Sequence, residues 1–196
     1  MSNDDKHSSA MPSSATIYLI RHAEKPDSGV NLSPAGEARA KAYVDYFQKL
    51  VDPAGKTIHW DYLFASTESN HSDRPVETLT PLAQALGKNQ PNHEFSDADY
   101  KGLVKHLKKH AKDRYAKSNI LICWHHGQLL KLATKLGAAP AALPASSNWP
   151  TTWPGAVFGW LMKIYYTADG AVDTTTTQAV NEHLMPDDTQ DPVYNA

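Results

Sequence analysis

Histidine can attack phosphorus at neutral pH when one ring nitrogen is bare and the other is held by an acceptor. Three histidines in this chain stand where such chemistry would be placed. His22 follows the apolar run Thr16-Ile17-Tyr18-Leu19-Ile20 and Arg21. His125 and His126 follow a second run, Ile120-Leu121-Ile122-Cys123-Trp124, and precede Gly127. Both runs read as buried strands, and open α/β sheets gather ligands at the carboxyl ends of their strands. An arginine beside the attacking histidine would neutralise the phosphoryl oxygens. Arg21 is one candidate. Arg74, in Ser72-Asp73-Arg74-Pro75-Val76-Glu77-Thr78 ahead of a helical pattern, is a second, because a guanidinium binds phosphoryl oxygens with two parallel prongs. Taken alone, each of these residues also fits a structural role; together they point to phosphoryl transfer.

The elements that must position them follow from spacing. Residues 16–21 read as a strand. Ser33-Pro34 supplies an N-cap and a first-turn proline for a helix along Ala35, Ala38, Ala42 and Tyr46, ended by Pro53-Ala54-Gly55. Residues 62–65 form a short strand, and a helix over 75–86 closes at Gly87. A third helix is expected over 97–117, a strand over 119–124, and a fourth helix through Leu129, Leu132, Ala133 and Leu136 to Gly137. Residues 138–155 show no period and read as a loop. Residues 157–166 alternate as a last strand. Strands alternating with helices predict a three-layer α/β/α sandwich around a mostly parallel sheet.

At 196 residues the chain fits one domain. The expected division is a domain over 15–185 with flexible tails at 1–14 and 186–196. A formal charge of -2 gives no basic field for nucleic acid, and no run approaches the roughly 20 apolar residues of a membrane span. The single cysteine, Cys123, cannot form an internal disulfide, and residues 1–14 lack the apolar stretch of a secretory signal; the expectation is a cytoplasmic protein. His106 and His110 have a helical metal-ligand spacing without a third ligand, so no metal is expected. The chain has no P-loop, G-x-G-x-x-G or G-x-S-x-G, and no cofactor is implied.

Four blocks resemble the histidine phosphatase superfamily, the phosphoglycerate mutase-like proteins. Arg21-His22-Ala23-Glu24 is similar to its R-H-G/A-E motif, and Leu32-Ser33-Pro34-Ala35-Gly36-Glu37-Ala38-Arg39-Ala40 to its next block. Arg74-Pro75-Val76-Glu77-Thr78 is similar to its R-x-x-E-T segment, and Trp124-His125-His126-Gly127 to its second histidine block. They occur in family order. The resemblance implies a phosphatase acting on phosphomonoesters through a phosphohistidine on His22. Its phosphate pocket would be built from Arg21, Arg74 and a second histidine, assigned to His126 because that residue precedes the glycine. The substrate class would be a phosphorylated small molecule or a phosphopeptide. A phosphomutase, or a phosphate-binding regulatory module without turnover, would share these residues. Two departures stand out. The loop from Ser66 to Arg74 is longer than the usual spacing, and the acid that protonates the leaving group has no recognisable motif. Glu94, Asp97, Asp99 and Glu24 are the carboxyls that could supply it.

Overall fold

The computed structural model describes residues 10–194. Along the chain run β1 (Thr16–Arg21), α1 (Pro34–Lys49), β2 (Tyr62–Ala65), α2 (Arg74–Ala85), α3 (Tyr100–Lys109), β3 (Asn119–Trp124), α4 (His126–Lys135), β4 (Trp160–Tyr165) and β5 (Gln178–Asn181). The five strands form one sheet in the order β2-β3-β1-β4-β5. β2, β3 and β1 are mutually parallel, β4 pairs antiparallel with β1 and β5 antiparallel with β4, so the sheet is mixed and β4 alone runs against the others. Alternation along β1 sends Ile17 and Leu19 to one face, where α3 and α4 pack through Leu103, Leu107, Leu129 and Leu132. Tyr18 and Ile20 go to the other face, against Tyr43 and Phe47 of α1 and Leu79 and Leu82 of α2. Both faces are covered, which is the three-layer arrangement that a parallel core requires.

Several boundaries differ from the sequence reading for identifiable reasons. α1 stops at Lys49, before the proline, because Leu50 turns extended and its carbonyl accepts from Ile58 N. The expected 97–117 helix is a 3-10 turn at Asp97–Asp99 followed by α3. Asp99 restarts it by accepting from Gly102 N, and its carboxyl lies where a Cβ on residue 102 would be. β4 begins at Trp160 because the carbonyls of residues 155 and 157 are committed elsewhere, to Arg21. β5 is absent from the sequence reading. It is a four-residue edge strand in which only Ala179 is fully buried, too short to show a period. The segment 138–155 holds two 3-10 turns and buries Trp149 and Trp153 in the core.

Parts of the segments expected as tails make contacts with the domain. Met11 is buried in the core, and Ser14 N donates to Thr167 O. Asp188 is paired with the fully buried Arg39 of α1. A charged stretch thus becomes part of the fold because one carboxylate meets a guanidinium that has no access to water. Residues 1–9, 195 and 196 lie outside the described residues.

Glu182, next to β5, is buried in the same cluster: Tyr43 Oη donates to its Oε2 at 3.0 Å, and Arg39 Nη1 lies 3.8 Å away. Burial pushes its carboxyl from near 4.5 up to about 8, with Arg39 and Tyr43 opposing the shift. The folded state therefore holds a proton there that the unfolded chain has already lost. The associated stability is complete below about pH 4.5 and is lost as pH rises towards 8. Glu182→Gln should abolish this loss, so that its stability relative to wild type rises between those limits in urea unfolding. A pH-independent difference would contradict the burial argument.

Candidate active site

The register of β1 against β3 builds the centre of the site. Arg21 lies opposite Trp124, and the ladder continues one step further through His22 N donating to Trp124 O at 3.0 Å. The next pair is therefore His22 and His125, on the same side of the sheet. Their rings meet edge to face with centroids 4.8 Å apart. His125 keeps an extended backbone as the N-cap of α4, so it continues the strand. His126 has already turned into the helix, and the charges of Arg21 and Lys25 act on it. The sequence reading placed His126 beside His22; the ring that meets His22 in the structure is that of His125. The glycine after His126 suggested that residue; strand parity puts His125 on the His22 face, because a one-residue slip reverses the face.

His22 is 2% exposed. Its Nδ1 lies 2.7 Å from Ala23 O, which can only accept, so Nδ1 carries the hydrogen and Nε2 keeps its lone pair. Burial, chiefly, and the cations around it pull its pKa down to about 2; burial and Arg74 bring that of His125 to about 4. Both rings are neutral at physiological pH, and His22 offers an unprotonated nitrogen.

Arg21, 1% exposed, reaches the site from the opposite face. Its Nη1 donates to Gly155 O and Val157 O, both at 2.7 Å, and Phe158 lies flat against the guanidinium at 3.8 Å. Burial lowers its pKa to about 10. Arg74 is anchored by Gly29 O, Val30 O and His71 O at 3.1–3.4 Å. The Nε atoms of both arginines are buried and have no protein partner. Two buried donors left open beside two neutral imidazoles form a site that calls for an anion.

The remaining residues of the motifs hold the loops in place. Thr78 Oγ1 accepts from Ala23 N at 2.9 Å while donating to Arg74 O, joining α2 to the residue after His22. Glu77 accepts from Leu32 N at 2.8 Å. Glu24 O accepts from Ser33 N and Oγ, and it lies so close to Gly36 that a Cβ there would collide with it. The long loop ahead of Arg74 is taken up by a turn in which Ser69 Oγ accepts from the backbone of His71 and Ser72. Sequence reasoning missed Phe158, Arg39 and Asp188. Their partners are remote in the chain: Arg39 stands inside a motif block, but nothing local marks what it pairs with, and Phe158 and Asp188 lie in no motif.

The four carboxyl candidates separate. Glu24 Oε1 accepts two bonds from Arg39, at 2.7 and 2.8 Å, which engages it as an acceptor. Asp99 caps α3, and Glu94 is exposed. Asp97 is half-buried with an unpartnered Oδ1, and burial, opposed by Lys131, pushes its pKa up to about 6. Trp124 Nε1 donates to its backbone carbonyl, which fixes Asp97 at the end of β3 on the layer that Trp124 faces. Phosphate titrations should separate the two adjacent histidines. Calorimetry should give a Kd raised at least about tenfold in His125→Ala, as for loss of one hydrogen bond to a charged group, and nearly unchanged in His126→Ala. The opposite order would return the pocket to His126.

No protein-family model and no curated protein matches the sequence. Solved structures do match the fold. One is the protein histidine phosphatase SixA, solved with tungstate, at 12% identity over 85% of this chain and 97% of that one, TM-score 0.53. Another is phosphoglycerate mutase from Plasmodium falciparum, at 10% identity over 82% and 87%, TM-score 0.51. A third is phosphoserine phosphatase from Entamoeba histolytica in complex with 3-phosphoglyceric acid, at 12% identity over 87% and 100%, TM-score 0.50. The chain therefore has the phosphoglycerate mutase-like fold on which histidine phosphatases are also built.

Proposed function

We propose that this protein is a phosphatase that hydrolyses phosphomonoesters through a phosphohistidine on His22. The observation that carries the reading is the His22 ring itself. It is neutral, fixed in one tautomer by Ala23 O, and set among two arginines whose Nε donors are open. His22 Nε2 attacks phosphorus as the ester P–O bond breaks. Arg21, Arg74 and His125 take up the charge on the transferred group. The leaving oxygen receives the Asp97 proton. Asp97 then accepts a proton from the water that attacks the phosphohistidine, releasing phosphate and restoring the imidazole. The substrate is a phosphorylated small molecule or a phosphopeptide.

His22→Ala should lower phosphate release from a phosphomonoester by about a thousandfold or more with the fold retained by circular dichroism, since no neighbouring group replaces the nucleophile. Retention of a tenth of wild-type release would remove His22 from the mechanism. Asp97 acts in its protonated form, so kcat/KM should fall as pH rises through about 6. Asp97→Asn should remove that limb and slow esters of alcohols far more than those of nitrophenol, which needs no proton on leaving. An unchanged pH profile would eliminate Asp97 as the donor.

A further inference from the structure

Arg39 contributes nothing to the reaction just described, yet it is fully buried in α1 and carries the densest set of charged contacts among the described residues. Its Nε and Nη2 donate to one oxygen of Glu24, at 2.8 and 2.7 Å. Its Nη1 and Nη2 grip both oxygens of Asp188, at 2.9 and 2.7 Å. Asp188 is itself fixed. Its Oδ2 accepts from the backbone N–H groups of Leu184 and Met185, and its carboxyl fills the space a Cβ on Gly159 would need. Asn181 Nδ2 donates to its carbonyl at 2.9 Å. A buried ion cluster of this kind is a poor source of net stability, because desolvating each charge offsets the attraction. What it delivers is placement.

The group being placed is the Glu24 carboxylate, three residues after Arg21. Its second oxygen, Oε2, is buried with no partner, and Arg21 Nε is a buried donor with none. Glu24 is also the principal negative charge acting on Arg21, opposing the effect of burial on that guanidinium. Left to itself, this carboxylate would find its counter-ion in Arg21 and close the anion pocket from within. We propose that Arg39, oriented by Asp188, is a positioning residue that holds the Glu24 carboxylate away from Arg21 and so keeps the Arg21 donors open to a phosphoryl group. The 182–190 segment thereby belongs to the working site, although none of its residues touches the reacting atoms. This rests on the reading of the Arg21 and Arg74 pocket as a phosphoryl site.

The test uses inorganic phosphate as the probe and calorimetry as the readout, so turnover is not required. In Arg39→Gln, the Kd for phosphate should rise at least tenfold. In the double variant Arg39→Gln with Glu24→Gln, it should return to within about threefold of wild type, because the freed competitor is gone. A purely structural role predicts no such rescue. Should Arg39→Gln fail to fold, the variant Arg39→Gln with Asp188→Asn removes both charges of the buried pair. It should show the same weakening, again reversed by Glu24→Gln. Unchanged affinity in either folded variant, or weakening that Glu24→Gln does not reverse, overturns the proposal. Absence of phosphate binding in wild type would overturn the pocket assignment and this inference with it, which is distinguishable from failure of Arg39 alone.

Discussion

The β1–β3 register is the constraint on which the rest of the site depends. These strands are far apart in sequence and adjacent in the sheet, and the pairing of Arg21 with Trp124 brings His22 level with His125. A parallel ladder has a fixed period of two, so a slip of one residue would send one imidazole to the opposite layer. The register is enforced by burial on both faces: Ile17, Leu19, Ile120 and Ile122 share one core, and Tyr18, Ile20, Leu121 and Cys123 the other. The hydrophobic pattern that stabilises the sheet therefore also aligns the two histidines.

Parity has a second consequence. Because neighbours on a strand face opposite ways, Arg21 cannot share a pocket with His22 by direction alone. It is turned towards the site by the carbonyls of Gly155 and Val157 and by the face of Phe158. Arg74 comes from α2, anchored on the loop after His22. Every contact holding these guanidiniums is a carbonyl or an aromatic ring, and none of the salt bridges among the described residues involves either one. Neutral anchors leave the positive charge unspent, and two buried cations without counter-ions favour a bound anion and neutral histidines alike. The neutral imidazoles and the uncompensated guanidiniums thus arise from one electrostatic arrangement, the one the proposed phosphoryl transfer would use.

Much of this was legible in the sequence. The apolar runs located β1 and β3; Ser33-Pro34 marked the start of α1, and Gly87, with φ +75, the end of α2. His22, Arg21 and Arg74 were identifiable as candidates because polar side chains at strand ends and helix starts carry local signals. Which of His125 and His126 lies beside His22 was not local: it needed the register, whereas the adjacent glycine pointed to His126. β5 is too short to show periodicity, and Asp188 lies in a stretch whose polarity suggested a tail. Its partner Arg39 is remote in the chain, and a buried ion pair leaves no pattern in composition. Asp97 could be listed among the acids but not separated from them, because burial distinguishes it and no spacing encodes burial.

The central claim is covalent transfer to His22, and it is tested most directly by trapping the intermediate. Rapid quenching during single turnover of a 32P-labelled phosphomonoester should leave label on the protein in a bond stable to base and labile to acid, because protonating the phosphorylated ring makes imidazole a good leaving group. Digestion should place the label on the peptide containing Ile20-Arg21-His22-Ala23, and His22→Ala should carry none. Phosphate release without protein-bound label under these conditions, or label stable to acid, would contradict the account and point to direct attack by water or to a different nucleophile.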